Sequence, residues 1–155
     1  TREVAQNGRR GALMLSMDIA HPDVADFITI KQDLQKVTGA NISVRLSDVF
    51  MKAVENESDY THKWPIDSDD PQFSKTINAK KLWDTIIQCA HNTAEPGLIF
   101  WDRQHWYSTS SVYPGYENTS TNPCSEIAMQ GGDSCRLIAL NLYKFLTYGV
   151  KKLQI

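Results

Sequence analysis

The chain has 155 residues, 41% of them hydrophobic, and a formal net charge of −2. That suits one domain, or one piece of a larger one, with a core of its own. The slight negative charge excludes a nucleic-acid binder that works by neutralising phosphates. No apolar run reaches membrane-spanning length and no signal-peptide pattern opens the chain, so neither nucleic acid nor membrane is an expected partner. Three unevenly spaced cysteines make no disulfide framework and fit a reducing cytoplasm. Thr1-Arg2-Glu3 starts without an initiator Met and Lys151 to Ile155 stops without a cap. The expectation is a piece of a longer chain.

Gly8 to Gly11 reads as a basic loop, and Ala12 to Asp18 as a short buried strand. His21-Pro22-Asp23 opens a helix, with Pro22 at its first position and Asp23 at the positive end of its dipole. Val24, Phe27 and Ile28 keep helical spacing. His21 reads as a cap or packing residue, because no second His or Cys stands at ligand spacing. Lys31 to Ala40 is a polar, solvated loop. Asn41 to Leu46 alternates as a strand, with Ile42, Val44 and Leu46 on one face. Ser47 caps a helix through Asn56 whose apolar face is Phe50, Met51 and Val54. Strand followed by helix favours an α/β architecture over a bundle.

Residues 57–78 break the pattern with two prolines and an acidic patch, and read as a surface excursion or short hairpin. Asn78 caps a helix to about Thr93, with Leu82, Trp83, Ile86, Ile87 and Ala90 as its buried stripe. Cys89 belongs to that stripe and reads as structural. Glu95-Pro96-Gly97 stops the helix, Leu98 to Trp101 is a buried strand, and Asp102-Arg103 reads as a local ion pair. Residues 104–121, rich in Ser, Thr and Tyr and without helical period, form a long loop, a kind that is usually functional or disordered. Leu137 to Leu142 reads as a strand, followed by a short helix to about Tyr148.

That long loop leads to Asn122-Pro123-Cys124-Ser125-Glu126-Ile127. Cys124 and Glu126 stand two residues apart, which on extended backbone puts thiol and carboxylate on the same side. Asn122 adds an amide that donates and accepts. Pro123 fixes its own φ and keeps Asn122 out of helix, so Cys124 sits on a stiff bend. Cys135 follows eleven residues after Cys124.

This hexapeptide resembles the finger-loop signature of the catalytic subunit of ribonucleotide reductases. The likeness continues through Gly8-Arg9-Arg10-Gly11-Ala12, His21-Pro22-Asp23, Gly39-Ala40-Asn41-Ile42-Ser43-Val44, Phe50-Met51-Lys52-Ala53-Val54, Glu95-Pro96-Gly97-Leu98-Ile99-Phe100-Trp101-Asp102-Arg103 and Ser134-Cys135-Arg136-Leu137. It covers nearly the whole chain. It implies that residues 1–155 are part of the ten-stranded α/β barrel of that family, with the finger loop carrying Cys124.

The chemistry implied is replacement of a ribose 2′-hydroxyl by hydrogen through a radical at the neighbouring 3′ carbon. By resemblance, Cys124 becomes the thiyl radical that takes the 3′ hydrogen, and Glu126 accepts the 3′-hydroxyl proton. Asn122 holds the sugar in line. Cys135 is one of two thiols that supply reducing equivalents. The substrate is a ribonucleoside di- or triphosphate, the reductant is thioredoxin-like, and the remainder of the catalytic chain is a partner. Lys31, Gln32, Gln35 and Lys36 lie on a loop that in the family reads a dNTP or ATP effector. The short Cys124-to-Cys135 interval and the Asn-Pro-Cys sequence look most like the adenosylcobalamin-dependent class.

The second redox cysteine of the family has no counterpart before Cys89, so it is expected upstream of Thr1, and this chain alone is expected not to turn over. The rival expectation is a non-enzymatic nucleotide-binding or thiol-switch module built on a Cys124–Cys135 disulfide. A metal-binding domain lacks paired ligand spacing.

Overall fold

The computed structural model describes residues 11–145. Strand β1 (Met14–Asp18) is followed by helix α1 (Val24–Thr29), strand β2 (Asn41–Leu46) and helix α2 (Asp48–Glu55). Strands β3 (Asp59–Trp64) and β4 (Phe73–Asn78) precede helix α3 (Ala79–Thr93), strand β5 (Gly97–Phe100) and helix α4 (Trp101–Tyr107). The two-residue strands β6 (Ser120–Thr121) and β7 (Ala128–Met129) close the regular structure before a 3-10 turn at Leu142–Phe145.

β1, β2 and β5 form a three-stranded parallel sheet in the order β1-β2-β5. Parallel neighbours need crossovers, and α1 lies between β1 and β2, as α2 and α3 do between β2 and β5. The core is where these helices meet the sheet. Val44 and Leu46 of β2 are buried together with Val24 and Ile28 of α1, Phe50 and Ala53 of α2, and Ile86 and Cys89 of α3. Burial of such side chains contributes about 1.5–3 kcal/mol each.

Capping follows the sequence. Phe50 N donates to Ser47 Oγ at 3.1 Å, and Lys81 N donates to Asn78 Oδ1 at 3.0 Å. Ser47 and Asn78 are extended, as N-caps are. The excursion at residues 57–78 is an antiparallel hairpin, β3 with β4 in register from Asp59↔Asn78 to Trp64↔Phe73. It is tied to the body where Lys63 N donates to Ala20 O at 2.9 Å.

Five expectations are corrected. Pro22 stands before the first helix rather than in it, since α1 begins at Val24 with Asp23 as N-cap. Ile87 is 46% exposed and not in the buried stripe of α3, because Ile86 and Cys89, three apart, take the face turned to the core. β5 ends at Phe100, and Trp101 begins α4, so the loop expected from residue 104 starts at Ser108. Trp101 is held by the Arg45 guanidinium 5.1 Å from its ring centroid, a contact from β2 that no local pattern announces. Leu137 to Leu142 forms no strand. Leu137 is 97% exposed, and no described strand pairs with it; a strand needs such a partner for its backbone groups. The Asp102–Arg103 ion pair is replaced by contacts to α2: Asp48 N donates to Asp102 Oδ2 at 2.7 Å, and Arg103 Nε approaches Asp48 at 3.3 Å. The expected features at Gly8 to Arg10 and at Tyr148 lie outside the described residues.

Candidate active site

β6 and β7 pair with Thr121 opposite Ala128, and the chain between them turns back on itself at residues 122–127. Four hydrogen bonds shape this turn. Ser125 N donates to Asn122 O at 2.9 Å, and Asn122 N to Ile127 O at 3.2 Å. Ile127 N donates to Asn122 Oδ1 at 3.0 Å, and Thr121 Oγ1 to Asn122 O at 3.0 Å. Ser125 takes φ 68°, in the left-handed region.

The backbone is therefore a turn at Cys124, not the extended segment on which the same-side argument for Cys124 and Glu126 rested. The physical reason is visible in the residue types. Pro fits the second position of a turn, and Asn at the first position bonds to backbone two or more residues on. The turn still presents both groups outward: Cys124 and Glu126 are exposed at its tip. Asn122 is 2% exposed and sits beneath them as the bracket of the turn. The two chemical groups are brought to one short tip, while the amide is largely spent on holding it.

The turn is anchored to the sheet from one side. Asn41, the first residue of β2, donates from Nδ2 to Pro123 O at 2.8 Å. Asn41, Ser43 and Arg45 alternate with Ile42, Val44 and Leu46, so this contact lies on the sheet face opposite the helices. That face has small groups at its centre. Gly97 pairs with Ser43, and a Cβ at Gly97 would stand 2.6 Å from Ser43 Oγ, so a larger residue there requires that hydroxyl to move.

Cys135 is half-buried, in a segment without regular structure, and all three cysteines are free thiols. Cys89 is buried in α3, and burial pushes its thiol pKa up. That is the setting of a structural cysteine.

The loop residues expected to read an effector separate into two pairs. Lys31 Nζ pairs with Glu95 at 2.8 Å and donates to Ala40 O. Gln32 donates to Cys89 O at 3.3 Å and to Thr93 Oγ1 at 3.2 Å. Both are occupied in fastening the loop to the end of α3. Gln35 and Lys36 are exposed, with Lys36 3.8 Å from Asp33. A cavity of about 760 Å³ lies elsewhere, between α2 and the hairpin, lined in part by Asp18, Ser47, Lys52 and Tyr60. The Cys124 turn does not line it. Among the described residues no group of three His, Cys, Asp or Glu is placed to hold a metal, and no helix is long and apolar enough to cross a membrane.

The family described as "Ribonucleotide reductase, barrel domain" matches residues 1–154. The chain belongs to the ribonucleotide reductase family. A vitamin B12-dependent ribonucleoside-diphosphate reductase of Thermoplasma acidophilum is 36% identical over 154 residues, covering 97% of this chain and 19% of that protein. One of the same description from Mycobacterium tuberculosis (strain CDC 1551 / Oshkosh) is 34% identical over 146 residues, covering 91% of this chain and 20% of that protein. A vitamin B12-dependent ribonucleotide reductase of Streptomyces avermitilis is 33% identical over 162 residues, covering 89% and 16%. The chain thus spans no more than about a fifth of the length of these ribonucleotide reductase relatives. Its mixed α/β structure, with a parallel sheet backed by helices, accords with a barrel domain of that family.

The resemblance drawn from motifs is thereby confirmed at the level of family. Sequence reasoning missed Asn41 as a contact of the turn. Its motif was noticed, but nothing local points to a partner at Pro123.

Proposed function

We propose that this segment is part of the ten-stranded barrel of a reductase that converts ribonucleotides to 2′-deoxyribonucleotides by a thiyl-radical mechanism, with the turn at 122–127 as its finger loop. The observation that carries the reading is the exposed thiol of Cys124 two positions from the exposed carboxylate of Glu126, on a turn braced from within by Asn122. The rival thiol-switch module accounts for neither the carboxylate nor the family match over residues 1–154.

The 2′ C–O bond of a ribose is inert to ordinary acid–base catalysis, and a radical at C3′ weakens it. The Cys124 thiyl takes the hydrogen atom from C3′, becoming a thiol and leaving the radical on the sugar. Glu126 takes the 3′-hydroxyl proton as general base. The 2′-hydroxyl leaves as water, with its proton drawn from a thiol. Cys135 and a second thiol from the remainder of the catalytic chain give up two electrons and end as a disulfide, so ribonucleotide and two thiols become deoxyribonucleotide, disulfide and water. Glu126 finally gives its proton back to the 3′ oxygen, and Cys124 returns its hydrogen to C3′ and is a thiyl again. By resemblance, Asn122 supplies its Nδ2 to the sugar hydroxyls, since its Oδ1 is engaged by Ile127 N.

The relatives described as vitamin B12-dependent support adenosylcobalamin as the radical source. When bound, that cofactor supplies an organic radical able to oxidise a thiol. The residues here fit it in one respect, an exposed sulfur that a diffusible or docked radical can reach. The substrate is a ribonucleoside di- or triphosphate, and a thioredoxin-like protein reduces the disulfide. A dNTP or ATP effector is read by the loop of Lys31, Gln32, Gln35 and Lys36, with Gln35 and Lys36 as its exposed side chains and Lys31 and Gln32 as its fastening. The setting is the cytoplasm.

Glu126→Gln in the full-length reductase tests this reading. General-base catalysis contributes roughly 10²–10⁴-fold, so deoxyribonucleotide formation should fall by that factor while nucleotide binding persists. Unchanged turnover in this variant would remove the carboxylate from the mechanism.

A further inference from the structure

The four hydrogen bonds within residues 121–127 fix the shape of the Cys124 turn, but they are internal to it. They do not say where the turn stands relative to the sheet. One described side-chain contact does. Asn41 Nδ2 donates to Pro123 O at 2.8 Å across 82 positions of sequence. That oxygen belongs to the peptide joining Pro123 to Cys124, so the contact orients the very peptide plane from which the Cys124 side chain departs. A planar peptide transmits such a constraint directly, since only φ and the side-chain torsion lie between it and the sulfur.

Asn41 is itself a fixed platform. Its N–H donates at 2.8 Å to the carbonyl of Leu13, the residue just before β1. The carbonyl of Ala40, in the same peptide, accepts from Lys31 Nζ, and Lys31 is held by Glu95 at 2.8 Å. Both ends of the Ala40–Asn41 peptide are therefore occupied before the side chain reaches out. The rigid element is the sheet, the reactive group is on a loop, and Asn41 joins the two.

We propose that Asn41 is a positioning residue that sets the place of the Cys124 sulfur by donating to the Pro123 carbonyl. This rests on the reading of Cys124 as the thiol that takes hydrogen from the substrate. Asn41 touches no reacting atom. Hydrogen transfer to sulfur depends steeply on distance, so a displaced peptide slows the chemical step and leaves substrate affinity alone. The side chain is on the surface, and its loss creates no cavity.

The experiment uses the intact reductase that contains this segment. Asn41→Asp keeps the shape of the side chain and removes the donor, setting a carboxylate oxygen against the Pro123 carbonyl. Asn41→His restores an N–H at a comparable reach. A misplacement of about 1 Å costs on the order of 10²-fold, so Asn41→Asp should lower kcat by roughly 10- to 100-fold with KM and Tm unchanged, and Asn41→His should regain most of it. Wild-type kcat in Asn41→Asp overturns the proposal. So does an Asn41→His variant as slow as Asn41→Asp, or a loss of kcat matched by a fall in Tm. Cys124→Ser, run in parallel, separates the two layers. If it is inactive while Asn41→Asp is normal, the positioning inference alone fails; if it is active, the catalytic reading fails first.

Discussion

His62 faces inward from the hairpin and is 2% exposed, with Nε2 unpaired among the described residues. Burial is the main reason that its pKa lies below the ordinary 6.5, and the charges of Lys75, opposite it on β4, and of His21 add to the effect. The neutral ring is therefore the form that the fold accepts. A histidine whose folded pKa is depressed contributes stability at pH above 6.5, and that contribution is lost as pH falls through the folded value. The thermal midpoint should drop as pH is lowered from neutrality through the range below 6.5. His62→Phe should reduce the drop, and the difference between the two curves is the quantity to read. Identical curves would assign the acid sensitivity to other groups. At this scale the sequence was informative about residue types and silent about surroundings. Cys89 was expected in the buried stripe of its helix and is buried there, because a helical stripe is a local fact; the solvent exposure of Cys124 and Glu126 is a finding of the structure. The partner of Asn41 was invisible because it lies 82 positions away.

Elements with their signals inside a few residues were the legible ones. Ser47 and Asn78 cap α2 and α3 because a side-chain oxygen reaches a backbone N–H three residues on, which is a matter of sequence spacing. Asn78→Ala should lower stability by about 1 kcal/mol, measured by denaturant midpoint at unchanged slope; no shift would mean that the hairpin holds the helix start unaided. Asn78 also donates from Nδ2 to Glu57 O at 3.2 Å, so it links the hairpin base to the helix. α4 and the segment 137–142 depart from the sequence expectation because contacts from elsewhere in the chain, made or missing, decide both. α4 has only seven residues, too few for a period to declare itself, and it is anchored by Arg45 and Asp48 from elsewhere in the chain. Leu137 to Leu142 has the composition of a strand, but strand formation depends on a neighbour more than on propensity.

At the scale of the molecule, helices cover one face of the parallel sheet, and the other face receives Trp101 of α4 and the Cys124 turn. Parallel sheets are generally covered on both faces, and here the second cover includes the turn that carries Cys124 and Glu126. Small groups at Ser43 and Gly97 keep that face shallow, and the polar Asn41 at its edge gives the turn a point of attachment. Fold class and family were legible from strand–helix alternation and from motifs spread over the whole chain. The bend at Cys124 was legible too, but its closed geometry was not, since the left-handed φ at Ser125 arises from the hydrogen bonds of Asn122 rather than from a glycine. On the proposed mechanism the thiol at the tip of this turn, and not the one in the core of α3, does the chemistry. Deoxyribonucleotide formation by the full-length reductase, with Cys124→Ser assayed beside Cys89→Ser, tests it directly. The prediction is no detectable product from the first and product at near wild-type rate from the second; turnover by Cys124→Ser would contradict it.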